Sequence, residues 1–287
     1  MELPPGRRVR LPGRGTTYVR ELAGPPGAPA LVLLHGLGAT AALNWFACFE
    51  PLSEHFRVIA IDQRGHGRGV RPSLTGFRLE DAADDVASLA DTLELATFVC
   101  VGYSMGGPVS QLAWRRHPDR VAGLVLCATA TSFRGFRRPD FAQAVLARAV
   151  MTGGLATAAV AMRMVPTAVR RQMVRSGVRR RGNERGMPPW AVDELAHNDP
   201  ACLLEAARAL AQFSSTRWIA EARVPACVVV TSRDNLVPPS RQRAMAAALP
   251  MATSIEVAGD HVVCGTNPGL FVPALVQACR RVTSTGG

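Results

Sequence analysis

The stretch Gly102-Tyr103-Ser104-Met105-Gly106 constrains this chain more than any other, because of what flanks it. Ahead of it, Phe98-Val99-Cys100-Val101 is short, apolar and rich in β-branched residues, and reads as a buried strand. Behind it, Pro108-Val109-Ser110-Gln111-Leu112-Ala113-Trp114 carries apolar residues at helical spacing. A chain that turns from strand straight into helix holds the residue at the corner in a strained conformation. Small residues two positions to either side let the two elements close around it. Gly102, Gly106 and Gly107 meet that need. An ordinary turn can also hold a serine, but it does not require glycines on both sides and a helix at once. Ser104 is therefore expected to act as a nucleophile.

Two partners follow in chain order. The run Ala226-Cys227-Val228-Val229-Val230-Thr231 is a continuous apolar strand that leads into Ser232-Arg233-Asp234-Asn235. A shorter strand, Ser254-Ile255-Glu256-Val257, leads into Ala258-Gly259-Asp260-His261. In a parallel sheet the carboxyl ends of the strands open onto one edge, so separation in sequence does not prevent contact in space. Serine, acid and histidine, each past a strand end, form the order of a nucleophile, an orienting carboxylate and a general base. The strand after the elbow, Val121–Leu126, leads into Cys127-Ala128-Thr129-Ala130 and offers no carboxylate. That favours Asp234 as the acid. Asp260 is the alternative, although adjacent residues rarely aim their side chains at each other. The other five histidines read as structural, and none shares metal-ligand spacing with the cysteines. Neither a cofactor nor a metal is expected.

Further motifs carry a resemblance. Leu31-Val32-Leu33-Leu34-His35-Gly36-Leu37-Gly38, Val58-Ile59-Ala60-Ile61-Asp62-Gln63-Arg64-Gly65-His66-Gly67 and His117-Pro118-Asp119-Arg120-Val121 join the triad pattern. Together they resemble the α/β-hydrolase fold family, in its branch of small bacterial esterases, haloperoxidase-like proteins and carbon-carbon bond hydrolases. The resemblance spans residues 14–281 apart from one insertion. It implies a doubly wound, mostly parallel sheet with an inserted helical cap. It also implies an oxyanion hole made by the backbone N–H groups of Leu37 and Met105, with structural roles for His35 and His66. Asp260 stands where the family often has glycine, and Arg68-Gly69 replaces a more usual Ser-Asp.

The expected organisation is a core over 1–131, a helical cap over 132–222 and a second core segment over 223–287. A small hairpin is expected near 7–22. The insertion reads as short helices broken at Gly153-Gly154, Pro166, Gly182, Pro188-Pro189 and Pro200. Leu155, Val160, Met162, Met164, Val165 and Trp190 are candidate pocket walls or simple packing residues. The insertion holds 14 arginines against 7 acidic residues, which is +7 of the net +11, and the chain contains no lysine. Coding bias explains the choice of arginine. The run Arg170, Arg171, Arg175, Arg179, Arg180 and Arg181 also fits attraction to an anionic lipid surface or acidic substrate. No nucleic-acid partner is expected, since that run lacks interleaved aromatics.

At 287 residues, with 48% hydrophobic and 19% charged residues, the chain is globular rather than disordered. No secretory or membrane-spanning run is read. Seven cysteines, three of them in or at the ends of core strands, fit small buried hydrophobes in the reducing cytoplasm. The expected function is hydrolysis of a small or medium hydrophobic carboxylic ester. Asn44-Trp45 resembles the carbon-carbon bond hydrolases, but Val262-Val263 stand where those enzymes usually carry a tryptophan. Acyl transfer is open to the same triad. From other classes, a ligand receptor with residual hydrolysis and a non-catalytic scaffold are the alternatives.

Overall fold

A computed structural model describes residues 3–71, 76–134 and 187–284, with a few positions between 164 and 177. The arginine run at 170–181 and the candidate walls Leu155, Val160 and Met162 lie outside the described residues.

The hairpin of β1 (Gly6–Leu11) and β2 (Gly15–Leu22) is followed by β3 (Ala30–Leu34), β4 (Arg57–Ile61), β5 (Phe98–Tyr103) and β6 (Val121–Cys127). After the insertion come β7 (Ala226–Thr231) and β8 (Ala252–Val257). They form one eight-stranded sheet in the order β1-β2-β4-β3-β5-β6-β7-β8. Pairing is antiparallel at β1–β2 and β2–β4 and parallel from β4 to β8. Central strands are apolar throughout because both sheet faces are covered. Alternation along each strand then divides the core in two. Val32, Leu34 and Cys100 face one side, with α3 (Leu79–Thr92), α4 (Gly106–Arg116) and α7 (Pro239–Ala248). Leu31, Leu33, Val99 and Val101 face the other. That side is covered by α1 (Ala41–Trp45), α2 (Phe49–Ser53), α8 (Val263–Thr266) and α9 (Pro268–Ser284). All seven cysteines are buried and none is in a disulfide.

The chain leaves the sheet after β6 and returns before β7 through a paired stem. Ser132 bridges Ser214, and Ser215 N–H donates to the Thr131 carbonyl at 2.7 Å. Between these points lie α5 (Pro189–Leu195) and α6 (Pro200–Gln212). Pro189 and Pro200 each stand at a first helical position, where the missing N–H has no partner to lose. The breaks read at these prolines are therefore helix starts. Met164, a candidate wall, is 82% exposed, whereas half-buried Trp190 packs on Phe46 with ring centroids 5.5 Å apart.

Candidate active site

Ser104 follows the central strand β5 at φ +50°. A non-glycine residue in that region stores on the order of 1–3 kcal/mol of strain and persists only where its surroundings enforce it. Ser104 N–H donates to the Cys127 carbonyl on β6 at 2.9 Å, and Gly107 N–H donates back to the Ser104 carbonyl at 2.9 Å. A Cβ on Gly106 would run into the Leu34 carbonyl of β3, so only glycine allows α4 to start this close to the sheet. These bonds leave out the Met105 N–H at the positive end of α4.

His261, past β8, lies between the other two residues. Its Nε2 is 2.9 Å from Ser104 Oγ and its Nδ1 is 2.8 Å from Asp234 Oδ2. The Asp234 side chain is wholly buried, that of His261 is 14% exposed, and Ser104 is 8% exposed. The carboxylate is fixed from several directions. Oδ1 accepts Leu236 N–H and Val237 N–H at 2.8 Å each, and Oδ2 also accepts the Thr231 hydroxyl at 2.8 Å. Gln242 Nε2 donates to Thr231 Oγ1 (2.8 Å) and to the Val237 carbonyl (2.7 Å), completing the network. Asp260 is turned away. Its Oδ1 accepts Val262 N–H at 3.0 Å, and the residue is exposed.

The Gly36–Ala39 turn abuts the serine, since a Cβ on Gly36 would lie 3.4 Å from Ser104 Cβ. Ala39 N–H donates to the Gly36 carbonyl (3.2 Å), Gly36 N–H donates to Asn44 Oδ1 (2.9 Å), and Gly38 sits at φ +76°. The Leu37 N–H is not among the groups these bonds use. His35 holds the turn from behind. Its Nδ1 bonds the Gly36 carbonyl (2.8 Å), and its Nε2 accepts Gln63 N–H (3.0 Å), which fixes the neutral Nδ1–H tautomer. Burial, reinforced by the neighbouring His66, pushes His35 down to about 3, and burial pushes His66 down to about 4. Asp62 accepts Ala41 N–H and Arg68 N–H, yet burial raises it to about 6.

Three contributors were not read from sequence. Tyr103 donates its hydroxyl to the His261 carbonyl at 2.8 Å, while Thr231 and Gln242 brace Asp234. Tyr103 occupies the variable position of the pentapeptide, and Gln242 lies in a helix with no motif, so neither leaves a local signal. Among the described residues, no group of three or more His, Cys, Asp or Glu side chains is arranged to hold a metal ion.

A serine hydroxyl on a strained corner, an imidazole on that hydroxyl and a buried carboxylate on the imidazole, at the carboxyl edge of a mixed sheet, have the geometry of a nucleophile elbow with its partners. The family model described as the alpha/beta hydrolase fold matches residues 29–268, and the chain belongs to that family. The 2-(acetamidomethylene)succinate hydrolase of Mesorhizobium japonicum is 39% identical over 123 residues, 42% of this chain and 41% of that protein. The enol-lactonase from Burkholderia xenovorans LB400 superimposes with a TM-score of 0.70 at 26% identity, covering 95% of this chain and 99% of that one. A thermophilic esterase from Thermogutta terrifontis, solved with malate bound, gives a TM-score of 0.70 at 25% identity, covering 97% and 99%. Matches to the first curated relatives span less than half the length of those proteins. Among the described residues, no helix is long and apolar enough to cross a membrane.

Proposed function

We propose that the chain is a serine hydrolase that cleaves a small or medium hydrophobic carboxylic ester through an acyl-enzyme on Ser104. The observation that carries this reading is the position of His261, bonded to Ser104 Oγ through one nitrogen and to Asp234 through the other. With the proton on Nδ1 held by Asp234, Nε2 is free to take the Ser104 proton as Oγ attacks the ester carbonyl. The oxyanion then forms beside the N–H groups of Leu37 and Met105, which are main-chain donors already oriented before the reaction. The imidazolium returns its proton to the leaving alcohol. Water, activated by the same nitrogen, then attacks the acyl-enzyme and releases the acid.

Residues 132–222 act in this reading as a cap over the triad, with Trp190 and Phe46 as an apolar wall. A lactonase and an esterase among the similar structures support ester chemistry. The buried thiols, none in a disulfide, support a reducing, cytoplasmic setting. The test is Ser104→Ala. It should abolish hydrolysis of p-nitrophenyl esters and labelling by a fluorophosphonate while leaving the circular dichroism spectrum unchanged. Undiminished labelling of the folded variant overturns the assignment. A chain-length series of p-nitrophenyl esters then sets the acyl preference.

A further inference from the structure

We infer that Asn198, contributed by the insertion, is a positioning residue that sets the direction of the Leu37 N–H in the oxyanion turn. The inference rests on the hydrolase reading above and adds to it a residue outside the triad and its two N–H donors.

Asn198 follows α5 and is only 3% exposed. Its Nδ2 donates to the Gly38 carbonyl at 2.8 Å and its Oδ1 accepts Gly67 N–H at 2.8 Å. One partner is an acceptor and the other a donor, so the amide has a single consistent orientation. One turn earlier, Glu194 bridges the same two core loops. Its Oε2 accepts the Thr40 hydroxyl (2.9 Å), and its Oε1 meets Arg68 Nη1 (2.8 Å) and Arg20 Nη2 (3.3 Å). Asp62 supplies a third link from within the core, through Ala41 N–H and Arg68 N–H. Loop 36–41 is thus gripped against loop 62–68 by two residues of the insertion.

The route from Asn198 to Leu37 runs through two planar trans peptides, in each of which the C=O and N–H point in opposite directions. Fixing the Gly38 carbonyl on Asn198 aims the Ala39 N–H the other way, where it donates to the Gly36 carbonyl. Fixing the Gly36 carbonyl, which His35 Nδ1 also bonds, aims the Leu37 N–H away from it. Gly38 at φ +76° has wide backbone freedom, so its peptide is the one most in need of an external hold. An apolar residue at 198 would fill the space without supplying that hold.

The test uses Asn198→Ala and Asn198→Asp in the full chain. Both are measured with p-nitrophenyl butyrate, with an aryl trifluoromethyl ketone that forms a tetrahedral oxyanion on Ser104, and with the matching secondary alcohol. We expect kcat to fall roughly 10- to 100-fold in each variant, with KM within about twofold, a fraction of the loss seen when an oxyanion donor is removed outright. Ketone affinity should fall by the same factor as kcat/KM, and alcohol affinity should stay unchanged. Aspartate keeps the acceptor for Gly67 N–H but sets a carboxylate against the Gly38 carbonyl. It should therefore resemble alanine in losing ketone but not alcohol affinity, whereas a role limited to docking the insertion would weaken both ligands equally in both variants. Equal losses for ketone and alcohol, or wild-type kcat in a folded variant, overturn the inference. Should the alanine variant not fold, the aspartate variant decides alone. Activity surviving in Ser104→Ala is the separate result that would sink the hydrolase reading itself.

Discussion

Tyr103 donates its hydroxyl to the main-chain carbonyl of His261 at 2.8 Å, tying the residue before Ser104 to the loop that carries His261. The same ring packs edge-on against His261, with centroids 6.0 Å apart, and against Trp45 and Phe271. One side chain thus couples β5 to the loop after β8 across two intervening strands. Tyr103→Phe keeps the packing and removes only the bond. Loosening of the histidine loop should lower kcat about three- to tenfold with little change in KM, as read from steady-state kinetics on a p-nitrophenyl ester. Wild-type kcat in this variant would show that packing alone holds the loop.

The two candidate acids separate sharply. In Asp234→Asn the new amide faces His261 Nδ1, the Thr231 hydroxyl and Gln242, and it no longer enforces the Nδ1–H tautomer. The loss in kcat should be on the order of 10³- to 10⁴-fold. Asp260→Asn leaves an oxygen able to accept Val262 N–H, and its effect should stay within about threefold. A reversal of this order would remove Asp234 from the mechanism.

Gly106→Ala tests the geometry of the elbow apart from its chemistry. The added methyl would meet the carbonyl and side chain of Leu34, backbone that cannot yield without parting α4 from β3. Destabilisation of more than about 3 kcal/mol is expected, read from the urea midpoint, with activity lost in parallel. A folded, stable variant would mean that the helix start has room to shift.

Acid should unfold the protein through two buried imidazoles. His35 and His66 are neutral in the fold, pushed down to about 3 and about 4, whereas in the unfolded chain they titrate near 6.5. Below pH 6.5 the unfolded chain therefore binds more protons than the folded one, and stability falls as pH drops toward 4. Asp62, raised by burial to about 6, acts in the opposite sense. Its contribution is present at low pH and lost as pH rises through about 6, so it offsets one of the two histidines. His66→Gln should lower the slope of unfolding free energy against pH between 4.5 and 6 by about 1.4 kcal/mol per unit, the value for one proton. Urea titrations at several pH values measure it. An unchanged slope would show that His66 is protonated in the folded protein.

The sheet was legible because its central strands are apolar along their whole length, a pattern that follows from cover on both faces. Phe98, Val121 and Ala226 all start strands close to where the sequence reading put them. β8 was read two residues short, since Ala252 and Thr253 lie on an edge strand with little hydrophobic signal. Ser104, Asp234 and His261 were readable because each follows a strand end, so topology alone brings them to one edge. Short helices such as α1 and α2, five residues each, were not read, being too brief to show a period.

By itself, the sequence determined the order of the strands along the chain, the strained corner and the identity of the three groups on the sheet edge. All of these depend on local pattern, on alternation, apolar runs and glycines placed around a turn. Tertiary structure alone decided which groups hold the three, and the turn beside them, in place. Tyr103 reaches a carbonyl 158 positions away, Asn198 reaches Gly38 across 160, and Glu194 reaches Thr40 across 154. Such bonds have no period and no spacing, because they arise where separately folded segments come to share one buried volume. There, an unpaired polar group costs on the order of 1–3 kcal/mol, which favours a partner for each buried amide, hydroxyl and carboxylate wherever the fold has put one.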